Sequence, residues 1–308
     1  MRLTNLVPLS LRSLWGIGLL ALALPAGAEP LRVVATTPDL ADLVVAVGGD
    51  AVEAQSLARG PQDPHFLEPR PSFVRALHRA DALVVVGLDL EAGWLPTLLR
   101  GARNPEIVSG GRGYVDASLA IEPRGAVTAP ADRSMGDVHP RGNPHYLTDP
   151  RNGLAVAKQL AERLSELRPE AAPRFAARLA AFESRVEEKL AAWRALARAS
   201  TVRSALQDHL YWGYFAACFG LELVGTLEPK PGIPPTTLHL SRLIERTRAR
   251  PVDVVLANPY YDPRHARFVA EQTGARVAEM AHQAGARPGA DGYLGAIDHN
   301  VRAVFGSP

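Results

Sequence analysis

Residues 170–199 read EAAPRFAARLAAFESRVEEKLAAWRALARA, and their apolar positions decide the architecture. Phe175, Leu179, Phe182, Val186, Leu190, Trp193 and Leu196 recur at steps of three or four, as one face of a single helix requires. About thirty residues rising 1.5 Å each make a rod of roughly 45 Å, long enough to lie along two lobes. On both sides of it, short β-branched runs alternate with helical patterns, the mark of an α/β unit. Before it, 31–37, 52–57, 82–86 and 107–108 read as strands, with helices at 40–47, 72–79 and 94–100. After it, 204–206, 221–227, 252–257 and 275–280 read as strands, with helices at 211–219, 238–248, 263–272 and 293–304. The predicted fold class is therefore α/β: two α/β lobes with central sheets, spanning 29–168 and 201–308, joined by one long linker helix over 169–200. A single stiff connector restricts lobe movement more than flexible hinge strands do.

The first 28 residues are of another kind. Arg2 and Arg12 precede an apolar run at 14–24, and Ala26-Gly27-Ala28 supplies an A-x-A site, which predicts a cleaved secretory signal peptide. The run is shorter than the roughly 20 residues that span a bilayer. The chain holds 34 Lys+Arg against 32 Asp+Glu. The leader takes two arginines and no acid with it, so the mature protein is formally neutral. A neutral chain without a basic stripe has no electrostatic pull on nucleic acid. Cys218 is the only cysteine, which excludes an internal disulfide, and its apolar neighbours mark it as a small buried hydrophobe. No cysteine follows the cleavage site to take a lipid. The expected product is a periplasmic monomer without a stable membrane anchor. Residues 110–143 are rich in Gly, Pro and charge and have no period, so a mobile loop is predicted inside the first lobe. Its Ser109-Gly110-Gly111-Arg112-Gly113 lacks the helix and lysine of a phosphate loop.

Nine histidines are present. His78, His239 and His265 fall inside amphipathic helical patterns and read as structural. His65, His145 and His209 each fall after a strand or loop and ahead of a helix, where open α/β sheets bind ligands. Pro64 and Pro144 restrict the residues before them to extended backbone, a rigid approach suited to a preorganised ligand. Asp149-Pro150 reads as a helix N-cap and first-turn proline just after His145. No H-E-x-x-H or C-x-x-C motif is present, so any shared metal site must be assembled by the fold.

Four motifs in order resemble the zinc- and manganese-binding receptors of ABC importers. Asp63-Pro64-His65 through Glu68-Pro69-Arg70-Pro71-Ser72 is similar to that family's D-P-H-x-x-E-P-x-P-S. Gly142-Asn143-Pro144-His145-Tyr146 with Asp149-Pro150 resembles the second motif. His209-Leu210-Tyr211-Trp212-Gly213-Tyr214-Phe215 with Phe219-Gly220-Leu221 resembles the third. Asp291-Gly292-Tyr293 matches the site of the family's acidic fourth ligand. The likeness covers the whole mature chain. It implies a metal site in the cleft between lobes, held by His65, His145, His209 and Asp291, with Zn2+ as the bound cargo and Mn2+ a weaker fit. It also implies delivery to an inner-membrane ABC importer permease, with a periplasmic metal chaperone as a further candidate partner, and no catalysis. The alternatives are a manganese or broader divalent-metal receptor, a zinc-dependent hydrolase, which a fourth protein ligand would close, and an adhesin on the same scaffold. This chain departs from the family's pattern at Asp208, where an aromatic residue is usual, and at Leu147, where tryptophan is. Its loop lacks the dense histidines of many zinc receptors; His139 is its one candidate for transient contact with metal, the alternative being a plain loop residue.

Overall fold

The computed structural model describes residues 29–126 and 139–306, so the predicted leader and residues 127–138 of the predicted loop lie outside the described residues. Two four-stranded parallel sheets form the lobes. The first has the order β2-β1-β3-β4, from β1 (Leu31–Ala35), β2 (Val52–Ser56), β3 (Ala82–Val85) and β4 (Tyr114–Asp116). The second repeats it as β6-β5-β7-β8, from β5 (Ser204–Gln207), β6 (Glu222–Thr226), β7 (Val254–Ala257) and β8 (Arg276–Glu279). β3, β5 and β7 are buried at every position. Helices covering both faces of a parallel sheet explain why these strands read as unbroken runs. In each sheet the chain winds outward both ways from its first strand, opening a crevice at the carboxyl ends of β1 and β3 and of β5 and β7.

Helices α1 (Pro38–Gly48), α2 (Pro71–His78) and α3 (Leu95–Ala102) serve the first lobe. α4 (Pro150–Leu167) follows the Asp149 cap, whose carboxylate accepts from the Arg151 amide at 2.9 Å, and packs against α5 (Ala172–Ala199). α6 (Gly213–Phe219), α7 (Thr237–Ala249), α8 (Pro263–Thr273) and α9 (Gly292–Phe305) serve the second lobe.

α5 is the predicted connector, 28 residues long after a short 3-10 turn at Pro169–Ala171. Phe175, Phe182, Val186 and Trp193 are buried, with Leu179, Leu190 and Leu196 packed half-buried beside them. One continuous core runs from β1 and α1 through α4 and α5 to β5 and α9, so the two lobes share a hydrophobic seam. Polar ties reinforce both ends. The Arg178 guanidinium reaches the Val45 and Ala46 carbonyls of α1 at 3.3 Å, and the Trp193 indole donates to Asp298 of α9 at 2.8 Å. The outer faces have separate cores, one within residues 34–107 and one within 206–275.

Two expectations need correction. Residues 107–108 are not a strand. Asn104 accepts from the Glu106 amide at 3.1 Å and starts a 3-10 turn, Pro105–Ile107, so Asn-Pro turn chemistry overrides the β-branched pair. The edge strand is instead β4, inside the region predicted to be loop. It pairs with β3 in register Leu83 to Tyr114 and is followed by a 3-10 turn at Ala117–Ala120. Cys218 is buried as expected, and burial pushes its thiol up to about 12.

Candidate metal centre

The crevice ends of the two sheets face each other, and three histidines meet between them. His65 lies in the segment between β2 and α2, His145 immediately before the 3-10 turn Tyr146–Thr148 that leads to α4, and His209 two residues beyond β5. Their ring centroids form a nearly equilateral triangle, 5.1 Å for His65–His145, 5.5 Å for His65–His209 and 5.4 Å for His145–His209. One donor nitrogen from each lies within 4.8 Å of the others, and all three residues are buried. The rings stand at 70–76° to one another, so no pair stacks face to face and their edges converge.

Local hydrogen bonds settle where the protons sit. Nδ1 of His65 is 2.7 Å from Asp63 Oδ1, which also accepts from the His65 backbone amide at 3.0 Å. Burial works to raise the Asp63 carboxyl, but these His65 bonds outweigh it and hold the group below its ordinary range. Nδ1 of His209 is 2.9 Å from Glu228 Oε2, which accepts from the Gly232 amide at 3.0 Å. A carboxylate only accepts, so each ring carries its proton on Nδ1 and turns an Nε2 lone pair inward. Nε2 of His65 and of His145 is buried with no hydrogen-bond partner. An orphaned buried acceptor is costly unless something fills it, and a cation does so. His145 is held by stacking on Tyr211, with centroids 3.8 Å apart, and by its own amide donating to Asn143 Oδ1 at 2.9 Å. Burial pushes its imidazole well below the usual range and keeps it neutral. Three neutral imidazoles backed by two carboxylates suit a divalent cation in charge and donor type.

Asp291 does not join them. It is the exposed N-cap of α9, and its side chain makes no capping bond. The start of α9 is docked elsewhere, because the next amide but one, Tyr293 N, donates to Asp42 of α1 at 2.8 Å. The acidic residue that motif order points to thus stands outside the three-histidine group. His139, in contrast, comes close. Its ring is 5.3 Å from His65 and 6.3 Å from His145. His139, His145 and His209 also line a cavity of about 610 Å³ that reaches the edge strand β6.

Asp63 lay inside the first motif without a role of its own, and Glu228 had none either. The signal for Asp63 was its Asx-Pro-His spacing, in which the side chain bonds the backbone two residues on; nothing in the sequence pairs Glu228 with a histidine 19 residues away. Asp208 stays out of the cluster. It accepts from the Asn258 amide at 3.0 Å toward β7, and burial pushes its carboxyl up to about 7.

The sequence profile of the zinc-uptake complex component A periplasmic family, ZnuA, matches residues 33–305. The chain belongs to the ZnuA family. The family is one of solute-binding receptors for ABC transporters and not of enzymes, which disposes of the hydrolase reading. Relatives of this ZnuA-family chain carry several metals in their names. The manganese ABC transporter substrate-binding lipoprotein PsaA of Streptococcus pneumoniae is 30% identical over 137 residues, 44% of this chain and 41% of that protein. PsaA of Streptococcus anginosus is 22% identical over 90% of this chain and 88% of its own length. The iron ABC transporter substrate-binding lipoprotein MtsA of Streptococcus pyogenes serotype M1 is 24% identical over 81% and 78%. Among solved structures, a crystal structure of ZnuA superposes with TM-score 0.73 at 23% identity, covering 91% of this chain and all of that one. A laminin-binding adhesin, Lmb of Streptococcus agalactiae, superposes equally well at 22% identity over 89% and 98%, so the fold alone does not separate receptor from adhesin.

Proposed function

We propose that this protein captures zinc outside the cytoplasm and delivers it to the permease of an ABC importer. The observation that carries the reading is the buried triangle of His65, His145 and His209, with carboxylates behind two of the rings. A nitrogen-rich site with few donors favours tetrahedral zinc, whereas manganese prefers more oxygen donors and higher coordination. Zinc also stands above manganese in intrinsic affinity for such donors, so geometry and affinity point the same way. His65 and His145 come before α5 and His209 after it, so one cation ties both lobes together and a small change in their packing can report occupancy to a permease. Export by the leader at 1–28 puts the protein where such a permease collects its cargo. Among the described residues no helix is long and apolar enough to cross a membrane.

The test is a pair of thermal melts of metal-stripped protein with equal zinc or manganese. A ligand at a thousandfold excess over its Kd stabilises the fold by about 4 kcal/mol, so zinc is expected to raise Tm far more than manganese. A larger shift with manganese would reassign the cargo. Unchanged zinc binding after His65→Ala, His145→Ala and His209→Ala would remove the site itself.

A further inference from the structure

His139 is set up as His65 is. Its Nδ1 lies 3.1 Å from the Leu88 carbonyl, an acceptor only, so the proton sits there and Nε2 carries the lone pair. That Nε2 is buried without a partner, the same state as Nε2 of His65 and His145. The 5.3 Å from its ring to His65 falls within the 5.1–5.5 Å spacing of the three ligands among themselves. The 6.3 Å to His145 is longer, and His139 stands just outside the three whose donors lie within 4.8 Å of one another, so its ring must swing to join them.

The backbone that presents Leu88 is unusual. Gly87, Leu88 and Asp89 follow β3 with φ of 79°, 51° and 68°, a left-handed run that residues with a Cβ rarely adopt. Buried Glu91 pins the run by accepting from the Val86 and Gly87 amides at 2.7 and 3.1 Å and from the Thr36 hydroxyl at 2.6 Å. The turn then holds the chain around His139 at two points. Leu88 takes the His139 ring, and Asp89 takes the Arg141 guanidinium through both carboxylate oxygens, at 2.7 and 3.2 Å. Strained backbone of this kind persists where surrounding contacts over-determine it and is concentrated at functional sites.

We propose that His139 is a resident fourth ligand of the cargo, positioned by the left-handed turn at 87–89, so that zinc sits among four imidazoles, three from before α5 and one from after. The proposal rests on the zinc reading above. It assigns His139 a standing role in place of a passing one, and it fills the position expected of Asp291.

Zinc-edge X-ray absorption on the whole protein with one equivalent of zinc tests it. Four imidazoles are expected in the wild type, and three with an added oxygen donor in His139→Ala. Zinc affinity in His139→Ala should fall at least about tenfold. Arg141→Ala, which frees the clip but leaves the donors, should lose up to about tenfold while keeping the four-imidazole spectrum. A wild-type count of three imidazoles overturns the proposal and leaves the zinc reading intact; a wild type that takes up no zinc overturns both.

Discussion

Glu228 offers the sharpest test of how the centre is tuned. It is 4% exposed, and its Oε2 receives two bonds, from His209 Nδ1 at 2.9 Å and from the Gly232 amide at 3.0 Å. Both neighbours donate, so this one oxygen fixes the proton on Nδ1 and frees Nε2 for the cation. Glu228→Gln keeps the shape. The amide oxygen must take the Oε2 position, because an NH2 group there would confront the Gly232 N–H. The tautomer survives and the charge is lost, for an expected drop in zinc affinity of about tenfold, or 1.4 kcal/mol. Glu228→Ala leaves the imidazole free to move its proton to Nε2 and leaves the Gly232 amide unpaired. About a hundredfold loss is expected, near 2.8 kcal/mol. Competition titration against a chromophoric chelator measures both, and melts without metal check that the variants fold. Equal losses in the two variants, or losses under about twofold in both, would refute the argument that Glu228 sets the tautomer.

Other expectations follow from the contacts between lobes. A Cβ on Gly60 would lie 2.1 Å from the Gly285 carbonyl oxygen, in a junction where the Gln283 side chain also donates to the Arg59, Gly60 and Gln62 carbonyls. Gly60→Ala should therefore cost about 2–3 kcal/mol and lower Tm by roughly 3–5 °C. Gly93→Ala, whose Cβ would meet only the His65 carbonyl at 3.9 Å, should leave Tm almost unchanged in the same calorimetric scan. Asp291→Ala should alter zinc affinity by less than about twofold in the chelator assay, whereas losing a group in or behind the donor set costs about tenfold or more; a loss that large would return the acid to the centre. His282 is 2% exposed, and burial lowers its imidazole from 6.5 to about 4. The unfolded chain takes up that proton first, so the residue's contribution is full above pH 6.5 and falls by about 1.4 kcal/mol per pH unit below it. Buried Asp39 and Asp208, both pushed up to about 7 chiefly by burial, act in the opposite sense, so the comparison must be between variants. Between pH 7 and pH 5, urea titrations should show His282→Asn gaining about 2 kcal/mol relative to wild type; a constant difference would show that the ring is not buried neutral.

The parts of the fold that could be read directly are those where one physical signal dominates. The α5 face is set by the spacing of Phe175, Phe182, Val186 and Trp193, and the buried strands by unbroken apolar runs such as Ala82–Val85. β4 could not be read this way. Tyr114, Val115 and Asp116 are too few to show a period, and their pairing depends on β3, some thirty residues earlier. At the centre, His65, His145 and His209 were legible because each follows a strand or loop at the crevice. Asp291 was carried by motif order, and the bond from Tyr293 to Asp42 that positions the start of α9 has no local signal. The same holds for Glu228 and for the turn at 87–89. Gly87-Leu88-Asp89 is unremarkable as sequence, and its left-handed backbone comes from the bonds that Glu91 makes around it.

The central claim is that three buried histidines hold zinc. Elemental analysis of the protein isolated from its own cells, in buffers without added metal, tests it most directly when run beside the His65→Ala/His145→Ala/His209→Ala triple variant. One zinc per wild-type chain and none in the variant is the predicted result; manganese or iron in the wild type, or zinc retained by the variant, would contradict it.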